Sequence, residues 1–176
     1  QAYNILFEDI KKECQLEVMY NDDLWSTIVS SDQQSINQYL ESIKDLFIGK
    51  KALHIGIGTS TIFTKFNDIF RKIDGITVMD SEIDVAKQYI IPHQKGKSEY
   101  VVHKFNKYNI KNFDFFNSDY SVIIDNNLKH YGCCNHHWEE FYKCILGKLK
   151  RGGILLTHTQ GFVSHTNKVT SLSIKE

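Results

Sequence analysis

The stretch that most constrains this chain is ALHIGIGTST, Ala52 to Thr61. Ala52 to Ile55 is a short run that reads as a buried strand. Gly56, Ile57 and Gly58 then turn the chain. Thr59, Ser60 and Thr61 open a helix whose apolar residues come at Ile62, Phe63, Phe66, Ile69, Phe70 and Ile73. Strand, glycine turn and helix start in that order make a corner that admits a ligand. Glycines remove the Cβ atoms that would keep a ligand away from the backbone. A helix N-terminus presents free N–H groups and a partial positive charge to polar or anionic atoms.

The next strand narrows the kind of ligand. Ile76 to Met79 forms a second apolar run and ends on Asp80. That carboxylate lies a little over twenty residues past Gly58, where a nucleotide-binding α/β fold places the acid that accepts from ribose hydroxyls. The dinucleotide fingerprint G-x-G-x-x-G needs a third glycine at position 61, and Thr61 stands there, which argues against NAD.

The rest of the chain repeats the alternation. Ser31 with Gln34 matches a capping box ahead of a helical stripe at Ile36, Tyr39, Leu40, Ile43, Leu46 and Phe47, which Gly49 ends. Ser81 caps a helix that carries Ile83, Ala86, Tyr89 and Ile90 and stops before Pro92. Tyr100 to Phe105 predicts a third strand, and Tyr120 to Asp125 a fourth, apolar enough to be buried on both faces. Between them runs a polar loop whose Phe113, Phe115 and Phe116 read as core anchors. Trp138, Phe141, Tyr142, Ile145, Leu146 and Leu149 give another helical stripe, and Gly152-Gly153 turns into a fifth strand, Ile154 to Thr157. Ser173 with Glu176 would begin one more helix. Strands alternating with helices predict an α/β fold, a doubly wound and mostly parallel sheet with helices on both faces. Residues 1–48 form an N-terminal helical cap or lid, with Tyr20 and Trp25 as the side chains a lid would bring, and residues 49–176 form the ligand-binding domain.

Composition removes several classes of function. The formal net charge is zero, which argues against binding nucleic acid through bulk charge. No apolar run approaches a membrane span. Cys14, Cys133, Cys134 and Cys144 lack disulfide-scaffold spacing, so reduced thiols in a cytoplasmic setting are expected.

Four segments in order resemble class I S-adenosylmethionine (SAM)-dependent methyltransferases, from about Lys51 to His158: LHIGIGTS, VMDSEIDVAKQY, DYSVIIDNNLKHYG and LKRGGILLTH. That family's glycine loop runs GxGxG, and Ser60 stands here in its third place. The resemblance implies a Rossmann-like fold with SAM as cofactor and S-adenosylhomocysteine (SAH) as product. Gly56, Ile57 and Gly58 would approach the amino-acid half of SAM, Asp80 the ribose, and Ser81 the adenine. Asn106 would read the adenine amino group, while Asp125 and Asn126 would face the methionine end and the acceptor. The family's sheet usually ends with a sixth and a seventh strand. Eighteen residues come after His158 in the sequence, so a sheet lacking the final strands is expected. Its exposed edge would need a partner, such as a second copy of the chain.

Methyl transfer needs alignment of nucleophile, methyl and sulfur, and a base when the nucleophile carries a proton. His130, in the loop after strand four, is the first candidate base, because its pKa suits proton transfer near neutrality. Tyr131 and His158 are further candidates. The segment GCCNHHW brings Cys133, Cys134, His136 and His137 close in sequence, but neighbouring residues point apart and the spacing is not that of a zinc site, so no metal is expected. The expected activity is O- or N-methyl transfer to a small polar molecule. Aminopropyl transfer or nicotianamine-type synthesis on the same scaffold is the alternative enzyme reading, and a non-catalytic partner subunit is the alternative of another class.

Overall fold

The computed structural model describes residues 29–107, 116, 119–126, 135–158 and 169–173, with backbone alone at 135–138 and 169–173. Among these residues, six strands form one sheet in the order β3-β2-β1-β4-β5-β6. The strands are β1 Lys51–Ile55, β2 Lys72–Thr77, β3 Glu99–Lys104, β4 Tyr120–Ile124, β5 Leu149–His158 and β6 Val169–Ser173. β1 to β5 run parallel. β6 runs antiparallel to β5, pairing Ile154 with Ser173 and His158 with Val169.

Helices cover both faces. On one lie α1 (Ser31–Ile43), α2 (Thr61–Phe66) and α3 (Asp80–Val85); on the other lies α4 (Asn135–Lys148). Strand alternation sorts the core accordingly. Ala52, Ile73, Val122 and Ile124 pack with Ile36, Leu40, Phe63 and Phe66. Leu53, Ile55, Ile76 and Ile123 pack with Phe105, Phe116, Phe141 and Ile145. Phe116 is thus the core anchor expected of it; Phe113 and Phe115 lie outside the described residues. This is the doubly wound, Rossmann-like architecture. Its strand order reverses between β1 and β4, where such sheets leave a crevice at their carboxyl edge.

Several sequence expectations are corrected. The sheet does not stop at five strands, because β6 covers the free edge of β5. Ser173 is the last residue of β6, and the helix expected from it would lie outside the described residues. The helix after the glycine turn ends at Phe66, and Ile73 belongs to β2. β2 starts four residues earlier than the apolar run at Ile76, because Asp74 and Gly75, a pair that normally marks a turn, lie inside it. The cap of α1 is Ser30, whose hydroxyl accepts from the Gln33 amide, so the cap sits one residue earlier than Ser31. Ser81 is the second residue of α3, and the cap position is Met79. α3 runs on through a π turn, Ala86–Ile90, and a 3-10 turn, Ile91–His93, that includes Pro92. β5 begins at Leu149, with Gly152 and Gly153 inside it at a shift of register against β4.

Asp74 is held on the α4 face by partners from three strands. It accepts from Tyr120 Oη at 2.6 Å and pairs with His103 Nε2 at 3.3 Å, with Lys72 Nζ at 3.7 Å. Burial alone would push its carboxyl up. The bonds from His103 and Tyr120 and the charge of Lys72 outweigh that and hold it below the usual carboxylate range.

Candidate functional site at the carboxyl edge of the sheet

The corner after β1 is built as the glycines require. Gly56 (φ +75°) and Gly58 (φ +54°) occupy conformations that L side chains rarely adopt. Among the described residues no heavy atom lies within 4 Å of an added Cβ at either, so both glycines border space that the described residues leave open. Ile57 turns its side chain inward and is buried. The Gly56 amide donates to Ile76 O at 2.8 Å, tying the turn to the end of β2. Ser60 closes the turn through its amide to Ile57 O at 2.9 Å and caps α2 in the left-handed region (φ 60°, ψ 36°). For a residue with a Cβ that conformation costs about 1–2 kcal/mol.

A carboxylate meets this turn, and it is Glu82. Its Oε1 accepts from the Gly58 amide at 3.1 Å and from Thr77 Oγ1 at 2.7 Å. Thr77 also accepts from the Met79 amide at 3.1 Å, which folds the chain from β2 into α3. Asp80 is placed differently from the expectation. β2 ends at Thr77, and Asp80 begins α3 with its side chain 59% exposed and bonded to Lys104 Nζ at 2.9 Å. Both acids lie a little over twenty residues past Gly58, so spacing fitted either. The hydroxyl that ends β2 bonds Glu82.

The loops after β3 and β4 supply the opposite wall. The Phe105 amide donates to Thr77 O at 2.9 Å, and Asn106 behind it is buried. Asn126, two residues past the end of β4, is buried as well. Asp125 turns to the α4 side. It is 2% exposed and accepts from Lys107 Nζ at 2.8 Å, and that ammonium stands 5.2 Å over the Phe141 ring. Lys107 and Asp125 thus clamp the two loops together, and neither Lys107 nor Glu82 was singled out from sequence. His158, at the end of β5, is buried with Nδ1 3.7 Å from Asp32 on the first turn of α1. Gln33, Asn37 and Thr61 extend that polar seam, with Gln33 Nε2 donating to Asn37 at 2.9 Å and Asn37 Nδ2 to Thr61 at 3.2 Å.

Gly56, Ile57, Gly58, Asn106 and Asn126 follow the carboxyl ends of β1, β3 and β4, and Ser81 follows that of β2, so the parallel order brings all of them to one edge of the sheet. His130, Tyr131, Cys133, Cys134, Tyr20 and Trp25 lie outside the described residues, as do the side chains of His136 and His137. Among the described residues no three His, Cys, Asp or Glu side chains converge as a metal site, and no helix is long and apolar enough to cross a membrane.

Solved structures of SAM-dependent methyltransferases share this fold. The chain is similar to the N-methyltransferase NodS from Bradyrhizobium japonicum, solved with SAH, at 14% identity and a TM-score of 0.58, over 83% of this chain and 70% of that one. It is similar to precorrin 8w decarboxylase from Methanobacterium thermoautotrophicum at 13% identity and a TM-score of 0.58, over 79% and 67%. It also resembles a putative methyltransferase from Bacillus halodurans at 18% identity and a TM-score of 0.54, over 70% of this chain and 50% of that chain, so it spans about half that relative's length. No protein-family model matches the chain, and no curated protein matches it in sequence.

Proposed function

We propose that this chain binds SAM at the glycine turn and transfers its methyl group to a small polar acceptor, by O- or N-methylation. The observation that carries this reading is the turn itself. Gly56 and Gly58 border open space, and a carboxylate reaches the same turn from the helix after β2. Gly56, Ile57 and Gly58 would approach the amino-acid half of the cofactor through their backbone. Glu82, already accepting from Gly58 and Thr77, takes the ribose hydroxyls in place of Asp80. Ser81 and Asn106 border the adenine, and Asn126 the acceptor side. SAM, when bound, supplies an electrophilic methyl group and a neutral thioether leaving group. The protein aligns the acceptor and removes its proton. His130 is the proposed base, with Tyr131 beside it in sequence. The likeness to NodS, an N-methyltransferase solved with SAH, supports the choice of cofactor. A small acceptor and a cytoplasmic setting are inferred from the neutral charge and the free-thiol spacing of the sequence.

Isothermal titration with SAM and SAH tests the reading. Micromolar binding is expected. No binding by the folded chain would leave a non-catalytic module of this fold. Glu82→Ala should weaken SAH by about 1–3 kcal/mol, roughly 5- to 150-fold, because it strips an acceptor from buried donors. Asp80→Ala removes only an exposed ion pair and should change affinity less than about threefold. The reverse ranking would return the ribose to Asp80.

A further inference from the structure

Ser60 is the one residue other than glycine with positive φ among the described residues. Its hydroxyl meets Tyr100 Oη at 2.9 Å, and both side chains are buried. Tyr100 lies forty residues away on β3, its ring stacked on Phe63 of α2 at 4.4 Å between centroids. Gly75 on β2 lies beneath both. An added Cβ there would stand 2.7 Å from Ile57 Cγ2, 3.0 Å from Tyr100 Cε1 and 3.1 Å from Tyr100 Oη. Contacts that short force one of the neighbours to move. Ile57 is the middle of the glycine turn, and Tyr100 holds the turn's last residue. The missing side chain at position 75 is therefore the space in which both are seated.

We propose that Ser60, Tyr100 and Gly75 act as one positioning set for the ligand-binding turn. The Tyr100 hydroxyl holds Ser60 in the left-handed conformation a glycine would adopt unaided, and Gly75 leaves room for the tyrosine and for Ile57. None of the three needs to touch the ligand. Their effect is to keep the Gly56 and Gly58 backbone facing open space. The inference rests on the reading of this turn as the SAM subsite.

A double-mutant cycle tests it, with SAH titration and urea unfolding on the full chain. Tyr100→Phe should weaken SAH by about tenfold, the loss of one buried hydrogen bond to the turn. Ser60→Gly should bind nearly as wild type, and in that background Tyr100→Phe should change affinity by less than about twofold. An equal loss in both backgrounds would overturn the proposal, since Tyr100 would then act by packing alone. Gly75→Ala should weaken SAH in either background; unchanged affinity counts against the set. If Tyr100→Phe alone fails to fold, folding of the double variant supports the coupling and its failure overturns it. If wild type binds no SAH, the SAM reading fails, and the coupling is judged from urea midpoints. A Tyr100→Phe shift that shrinks on Ser60→Gly supports it, and equal shifts refute it.

Discussion

Lowering the pH from about 6.5 towards 3 will cost the folded chain about 1.4 kcal/mol per unit through His54 alone. His54 lies within β1, 1% exposed, and its Nε2 has no hydrogen-bond partner among the described residues. Burial strips the water that would solvate an imidazolium and pushes the pKa from 6.5 down to about 3. The unfolded chain takes up a proton below its ordinary histidine pKa. The folded chain refuses that proton until the lower value. Stability is therefore complete above about pH 6.5 and falls steadily as pH drops through the window. At its lower end the loss is several kcal/mol, a large part of the 5–15 kcal/mol typical of a domain. His54→Leu replaces the ring with an apolar side chain and removes both the orphan nitrogen and the proton linkage. Urea unfolding between pH 7.5 and 4 should give similar slopes above about pH 6.5 and, below it, a slope flatter by about 1.4 kcal/mol per unit in the variant. Equal slopes in the two proteins would place the acid sensitivity elsewhere.

The second large effect is expected at Asp74. Asp74→Ala should destabilise the fold by about 3–5 kcal/mol, the usual result of removing one member of a buried ionic cluster. Tyr120 Oη would lose its acceptor in the core, and His103 and Lys72 would lose their carboxylate. Asp74→Asn keeps a carbonyl for Tyr120 and should cost less, about 1–3 kcal/mol. The pH dependence has a different window from that of His54. A carboxyl held below its unfolded value contributes stability above about pH 4 and loses it only as pH falls further. Wild-type stability should therefore bend twice in acid. His54→Leu would abolish the upper bend and leave the lower one. A cost below about 1 kcal/mol for Asp74→Ala would mean the site repacks or admits water.

Asp74 also shows why local pattern misjudges β2. KIDGIT reads as a strand only from Ile76, because an Asp-Gly pair between apolar runs ordinarily marks a turn. Asp74 is tolerated inside β2 because Tyr120 and His103, 46 and 29 residues away, complete its hydrogen bonds. Gly75 is there because Ile57 and Tyr100 need its space. An error at the start of β2 carries over to its end, which is Thr77, so that Asp80 falls on α3 and Glu82 is the acid that bonds the glycine turn. Other differences are smaller in kind. Ser30 and Ser31 are equally good caps on paper, and the direction of the chain entering α1 chooses between them. β6 offers no apolar alternation of its own, and it exists as a strand because β5 lends it a hydrogen-bonding edge.

Local pattern was enough to determine the order of strands and helices from α1 to β5 and the glycine corner at Gly56–Gly58. Each of these depends on residues close together in the chain, through period, turn chemistry and missing Cβ atoms. Which acid meets the corner, what steadies Ser60, and how a charged Asp74 survives in the core were decided only when β1 to β4 came side by side. Those answers depend on pairings across dozens of residues, and a buried polar group is stable only once its distant partner has arrived.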